Sequence, residues 1–153
     1  MTRYVLAAMV LLLCQACGPG TEDSKQRMTE SDAMNRVEDY VHRAVALLPP
    51  GAKLEMLSET ATHDCDDPTD NGPKGRVFAS NLYWVRGITE VDPTKYLDGL
   101  RRWWGEQGFA VVTDAWEKAK VITLENPENG FRMSFRKSAP DPAIGASSPC
   151  VWP

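Results

Sequence analysis

Two histidines, a knot of acids and four cysteines are the residues of this chain best suited to chemistry. The acids crowd the segment from His63 to Gly72, where Asp64, Asp66, Asp67 and Asp70 lie close together. Read from Asp67, it places Asp67, Thr69, Asn71 and Gly72 at the spacing of a calcium-binding loop. The twelfth place of such a loop needs a bidentate Glu, and here it holds Phe78. A solvated turn is therefore expected, with no metal and no cofactor. His42 follows Glu38 by one helical turn, and His63 neighbours Asp64. A His–carboxylate pair catalyses only when a nucleophile and an oxyanion donor converge on it. The spacing of Ser58, Ser80 and Ser134 supplies no such convergence, and there is no GxSxG elbow. The sequence assigns no catalytic residue.

Aromatic residues are the stronger clue to function. Trp103 and Trp104 are adjacent, so about 100° apart around a helix, and one can face the core while the other meets solvent. With Tyr83 and Trp84 on a strand they form a candidate binding surface for a protein or small-molecule partner. The competing expectation is that a small domain uses these large side chains to build its core. The same two readings apply to Arg101 and Arg102 beside Trp103, a cation–π surface or a solvated face.

These residues must be positioned by one domain, because 153 residues are too few for two comfortable ones. The mean composition, 42% hydrophobic and 25% charged, is that of a folded chain. A net charge of −4 argues against nucleic acid, whose binding needs a clustered basic face.

The first helix begins at Thr29, where Thr29 and Asp32 make a near capping box. Met34, Val37, Val41, Ala44, Val45 and Leu48 then recur at helical spacing, and Pro49, Pro50 and Gly51 stop the helix. A strand is expected over 52–62, with Leu54 and Met56 facing inward. A second follows over 76–88, buried on much of both faces. Asp92 and Pro93 start the next helix, Tyr96, Leu97, Leu100, Trp103 and Trp104 line it, and Gly108 caps it. Strands are expected from Phe109 and over 120–125. A turn at Asn126–Gly130 then leads to a strand in which Phe131, Met133 and Phe135 alternate with polar residues. The order is α-β-β-α-β-β-β. It implies an α+β fold, a two-layer sandwich of mainly antiparallel sheet covered by two helices.

The amino terminus has a different character. A weakly basic start, an apolar run from Val5 to Leu13 and the small Ala16 read as a secretory signal over residues 1–16. The run is too short to span a bilayer. Ala16, Cys17 and Gly18 resemble the lipobox of bacterial lipoproteins, in which the Cys thiol receives a diacylglyceryl group and becomes the first residue after cleavage. The family favours Leu and then Ala or Ser ahead of that pair, where this chain has Cys14 and Gln15. Cleavage after Ala16 by ordinary signal peptidase would instead release a soluble secreted protein. The resemblance implies lipid on Cys17, a membrane partner through that lipid, a flexible tether over 17–28 and a place on the outer face of the cell membrane. Together with the order of elements, it makes the chain similar to small cell-surface lipoproteins of high-GC Gram-positive bacteria. Several of those are known only as families of unknown function, so no active site is carried over.

With Cys14 lost with the signal and Cys17 lipidated, Cys65 and Cys150 remain as an even pair in an oxidising compartment. A bond between them closes a loop of 85 residues. It would pin a Pro-rich tail, 139–153, to the domain at 29–138, and two free thiols are the alternative. The functional expectation is an anchored binding or interaction module. An enzyme with a site assembled only by folding and an accessory subunit of an envelope complex are the alternatives.

Overall fold

A computed structural model describes residues 28–65, 73–88, 94–137 and 141–153. Expectations placed on the signal segment, Cys17 and its tether, the loop acids from Asp66 to Asp70 and the helix start at Asp92 lie outside them.

Helix α1 (Glu30–Val45) begins where its capping chemistry places it. The Asp32 amide donates to Thr29 Oγ1 at 3.1 Å, and the Thr29 amide donates back to the Asp32 carboxylate at 3.1 Å. Two amides that lack a helical partner are thereby satisfied. The Thr29 hydroxyl, which donates to the Asp32 carboxylate at 2.8 Å, and then the Thr29 amide hold the Asp32 carboxyl below its ordinary pKa. Ala33, Val37, Tyr40, Val41 and Ala44 form the buried face. Helix α2 (Thr94–Glu106) buries Tyr96, Leu97, Leu100 and Trp104. It ends as Gly108 adopts φ +83° and the Phe109 amide reaches back to the Trp104 carbonyl at 2.9 Å.

Six strands make one open antiparallel sheet: β1 (Lys53–Asp64), β2 (Val77–Arg86), β3 (Ala110–Asp114), β4 (Val121–Glu125), β5 (Arg132–Lys137) and β6 (Pro142–Ser147). Their spatial order is β1-β2-β6-β5-β4-β3. Tyr83, Ile144, Phe135 and Ile122 are successive cross-strand partners and share the face on which α1 and α2 pack. A short helix, α3 (Trp116–Ala119), lies on that side too, with Trp116 stacked on Phe135.

The α+β class and the antiparallel sheet are as expected, and so is the order of elements as far as β3, after which a short helix and a further strand are added to it. The 139–153 stretch is no mere tail, because it contains β6, a central strand, and α3 was also unforeseen. Pro142, Ala143, Gly145 and Ala146 lack the branched and aromatic residues that mark strands. At Gly145 smallness is demanded by neighbours: a Cβ there would stand 2.6 Å from the Asn81 carbonyl oxygen and 3.0 Å from Leu82 Cδ1. β2 also differs from expectation. Its odd-numbered residues from Ala79 to Val85 are buried and the even ones half-buried, so only one face meets the core. Met56 was expected inside and is 53% exposed. It sits on an edge strand beside a register shift between Met56 and Ser58, and such irregularities twist an edge away from regular packing.

Cys65 and Cys150 are joined by a disulfide with Cα atoms 6.1 Å apart. The segment after β6 continues along β2: Ser148 N donates to the Ala79 carbonyl, the Ala79 amide donates to Ser148 Oγ, and Val77 and Val151 exchange backbone bonds. The bridge fastens this extension to the end of β1.

Gly145→Val should lower stability by about 1–3 kcal/mol, read as a fall in the urea midpoint, because overpacking forces β6 away from β2. Cys150→Ser should cost about 2–4 kcal/mol in the same measurement, and reductant added to the native protein should reproduce that loss.

Candidate functional site

The two faces of the sheet divide the chemically capable residues between them. On the helix side, Glu38 on α1 is reached by Tyr83 from β2, whose hydroxyl donates to the two carboxylate oxygens at 2.7 and 2.9 Å. Thr60 on β1 also donates to Glu38, and Thr62 donates to Glu30 at 2.8 Å. His42 Nε2 stands 3.5 Å from Glu38, as the one-turn spacing anticipated, on a side chain 62% exposed. Burial, and then the hydrogen bond to Glu38, push the Tyr83 phenol up to about 12. With these donors gathered on it, the Glu38 carboxylate fastens α1 to β1 and β2.

No nucleophile among the named serines joins His42. Ser58 and Ser80 lie opposite Leu82 and Ser147 in the register, and Ser134 opposite Gly145, which puts all three on the far face of the sheet. His63 is also on that face, its ring 5.2 Å from Phe78. Among the described residues, no three His, Cys, Asp or Glu side chains are grouped to hold a metal ion.

The four aromatics do not share one surface. Trp104 is fully buried, and Tyr83, 6% exposed, points at α1. Trp103 is partly buried, with the guanidinium of Arg43, not Arg101 or Arg102, 5.4 Å from its ring. Arg101 pairs with Asp114 at 2.7 Å. Only Trp84 faces the side away from the helices, half-buried, with Arg86 stacked over it at 5.5 Å. Arg86 is held charged by Glu55 at 2.9 Å and by Asp141, and its bond to Glu55 lowers the Glu55 carboxyl pKa.

That far face is the candidate site. Cross-strand partners lay its residues out in rows: Glu55, Trp84, Ala143, Arg136 and Val121; then Leu82, Gly145, Ser134 and Thr123; then Ser80, Ser147, Arg132 and Glu125. No helix packs on this face among the described residues. Gly145 leaves a hollow of about 200 Å³ lined by Thr123, Arg132, Ser134 and Ser147. A second hollow of about 360 Å³, reaching Phe78 and Pro149, shares Arg132 and Ser147 with it. Sequence patterning missed this surface because its middle, Ala143, Gly145 and Ser147, comes from β6. A larger cleft, about 700 Å³, opens between α2 and α3 beside Trp116, but the Arg101–Asp114 pair joins two of its wall residues.

Comparison of the chain with protein-family models, with curated proteins and with solved structures finds no match in any of the three.

Tyr83→Phe should leave the fold intact and cost about 1–2 kcal/mol, since the half-buried Glu38 loses its best donor. The phenol pKa, near 10 when unfolded, is higher in the fold, so its contribution is complete below pH 10 and is lost as pH rises toward about 12. Stability of the native chain should fall through that window more steeply than that of Tyr83→Phe, as followed by urea unfolding at stepped pH.

Proposed function

We propose that the chain is an exported binding module, held on the outer face of the cell membrane by lipid on Cys17 and presenting the far face of its sheet to a ligand. The Cys65–Cys150 disulfide carries the reading. It joins residues 85 positions apart, and it locks the segment that completes the sheet. Bonds of this kind persist in oxidising compartments and are rare where thiols are kept reduced. The leader before Cys17 supplies the route to such a compartment, and two acyl chains hold where one would hold only marginally. Among the described residues no helix is long and apolar enough to cross a membrane. Binding is favoured over turnover because His42, paired with Glu38 on the helix side, is parted by the sheet from Ser58, Ser80 and Ser134, and His63, which shares their face, lies with its ring against Phe78.

Cells fed a clickable fatty acid should label the native chain and not Cys17→Ala. Equal labelling of both would defeat the anchor, and a native chain found unlabelled in the medium would make it a soluble secreted protein.

A further inference from the structure

We propose that the trough on the far face of the sheet binds an anionic glycan, with Trp84 stacking on a sugar ring and Arg136 pairing with its acidic group. The proposal rests on the reading of this face as the binding surface and names its ligand.

Charge distribution is the first support. The chain is net negative, yet β5 presents Arg132, Ser134 and Arg136 in a line on this face. Arg132 is offset by Glu125 at 2.6 Å. Arg136 is half-buried and has no acidic partner among the described residues; its Nε–H is itself buried, so only the terminal N–H groups of the guanidinium can meet a ligand. Such a guanidinium is suited to the paired oxygens of a carboxylate or phosphate. The second support is the neighbouring chemistry. Trp84, half-buried and with Arg86 over one face of its ring, lies across the small, fully buried Ala143 from Arg136, so a sugar would stack on its other face; in the neighbouring rows Thr123, Ser134 and Ser147 offer hydroxyls along the hollow. Aromatic face, hydroxyl row and guanidinium together match a sugar, which has an apolar ring face, many hydroxyls and, here, a charge. Arg132 and Arg136 are about 13 Å apart along the strand, room for an oligosaccharide rather than one sugar.

Other ligands fit less well. The strands at this place are paired on both sides, so an extended peptide finds no free backbone to add to. Nucleic acid needs many phosphate contacts, and here one guanidinium is uncompensated. Hydroxyl lining disfavours a purely apolar ligand.

The test uses the full lipid-bearing chain in detergent micelles, titrated by calorimetry with a galacturonic acid hexamer, a singly phosphorylated mannopentaose and neutral mannopentaose. Binding of the carboxylated or the phosphorylated sugar at least tenfold tighter than the neutral one supports the site, and the preference between them identifies the acidic group. Arg136→Gln should weaken the acidic ligand about tenfold, and Trp84→Ala should do the same. Glu125→Gln should strengthen it about threefold by freeing Arg132, a gain that misfolding cannot mimic. Equal affinity for acidic and neutral sugars, with Trp84 still required, overturns the anionic class while keeping the face as the binding surface. Absence of binding by both acidic sugars, or affinities indifferent to Arg136 and Glu125, overturns the site itself. Fatty-acid labelling at Cys17 is scored separately and is unaffected by either result.

Discussion

Strand β6 enters the sheet between β2 and β5, and among the described residues nothing else joins the hairpin of β1 and β2 to the meander of β3, β4 and β5 along their hydrogen-bonding edges. Every backbone bond that makes one sheet of six strands rather than two small ones passes through Pro142–Ser147. Small sheets of two or three strands are marginal in water, so the packed face under α1 and α2 depends on this insertion. Ile144 shows the dependence directly. It lies between Tyr83 and Phe135 and is fully buried, joining the α1 half of the core to the α2 half.

The insertion is supported at several levels. Gly145 lets β6 approach Leu82 and the Asn81 carbonyl. Asn81 accepts from the Ala146 amide at 2.9 Å through its side-chain oxygen, though its buried side-chain nitrogen has no acceptor, and Ser148 and Ala79 bind each other twice at the exit of the strand. The disulfide then ties the outgoing chain to the end of β1. A strand formed by residues so far along the chain closes long loops, and the crosslink reduces the entropy that its docking must overcome.

The same insertion builds the surface to which binding is ascribed. With helices on one side only, the sheet keeps a second face, and the small residues of β6 make it concave between the larger side chains of β2 and β5. Ala143 and Gly145 separate Trp84 and Leu82 from Arg136 and Ser134. What strengthens the sheet at its centre thus also lowers its outer face there. Glu38, on the helix side, plays the complementary role: by gathering Tyr83 and Thr60 it fastens α1 over β1 and β2.

Features whose cause is local were legible in the residues. Thr29 and Asp32 mark the start of α1, Gly108 marks the end of α2, and alternation from Phe131 to Phe135 marks β5, because each depends on neighbours within a turn or a strand length. The cysteine pairing was legible by parity. What only the tertiary structure decided is the role of 142–147, the exposure of Met56 and the parting of Tyr83 from Trp84 onto opposite faces, one in the helix interface and the other in the trough. Each of these is set by residues distant along the chain. The strand Pro-Ala-Ile-Gly-Ala-Ser carries little periodic signal of its own, and it becomes a strand because Ile144 fits the core between Tyr83 and Phe135 while Gly145 fits the narrow space beside Leu82 and Asn81.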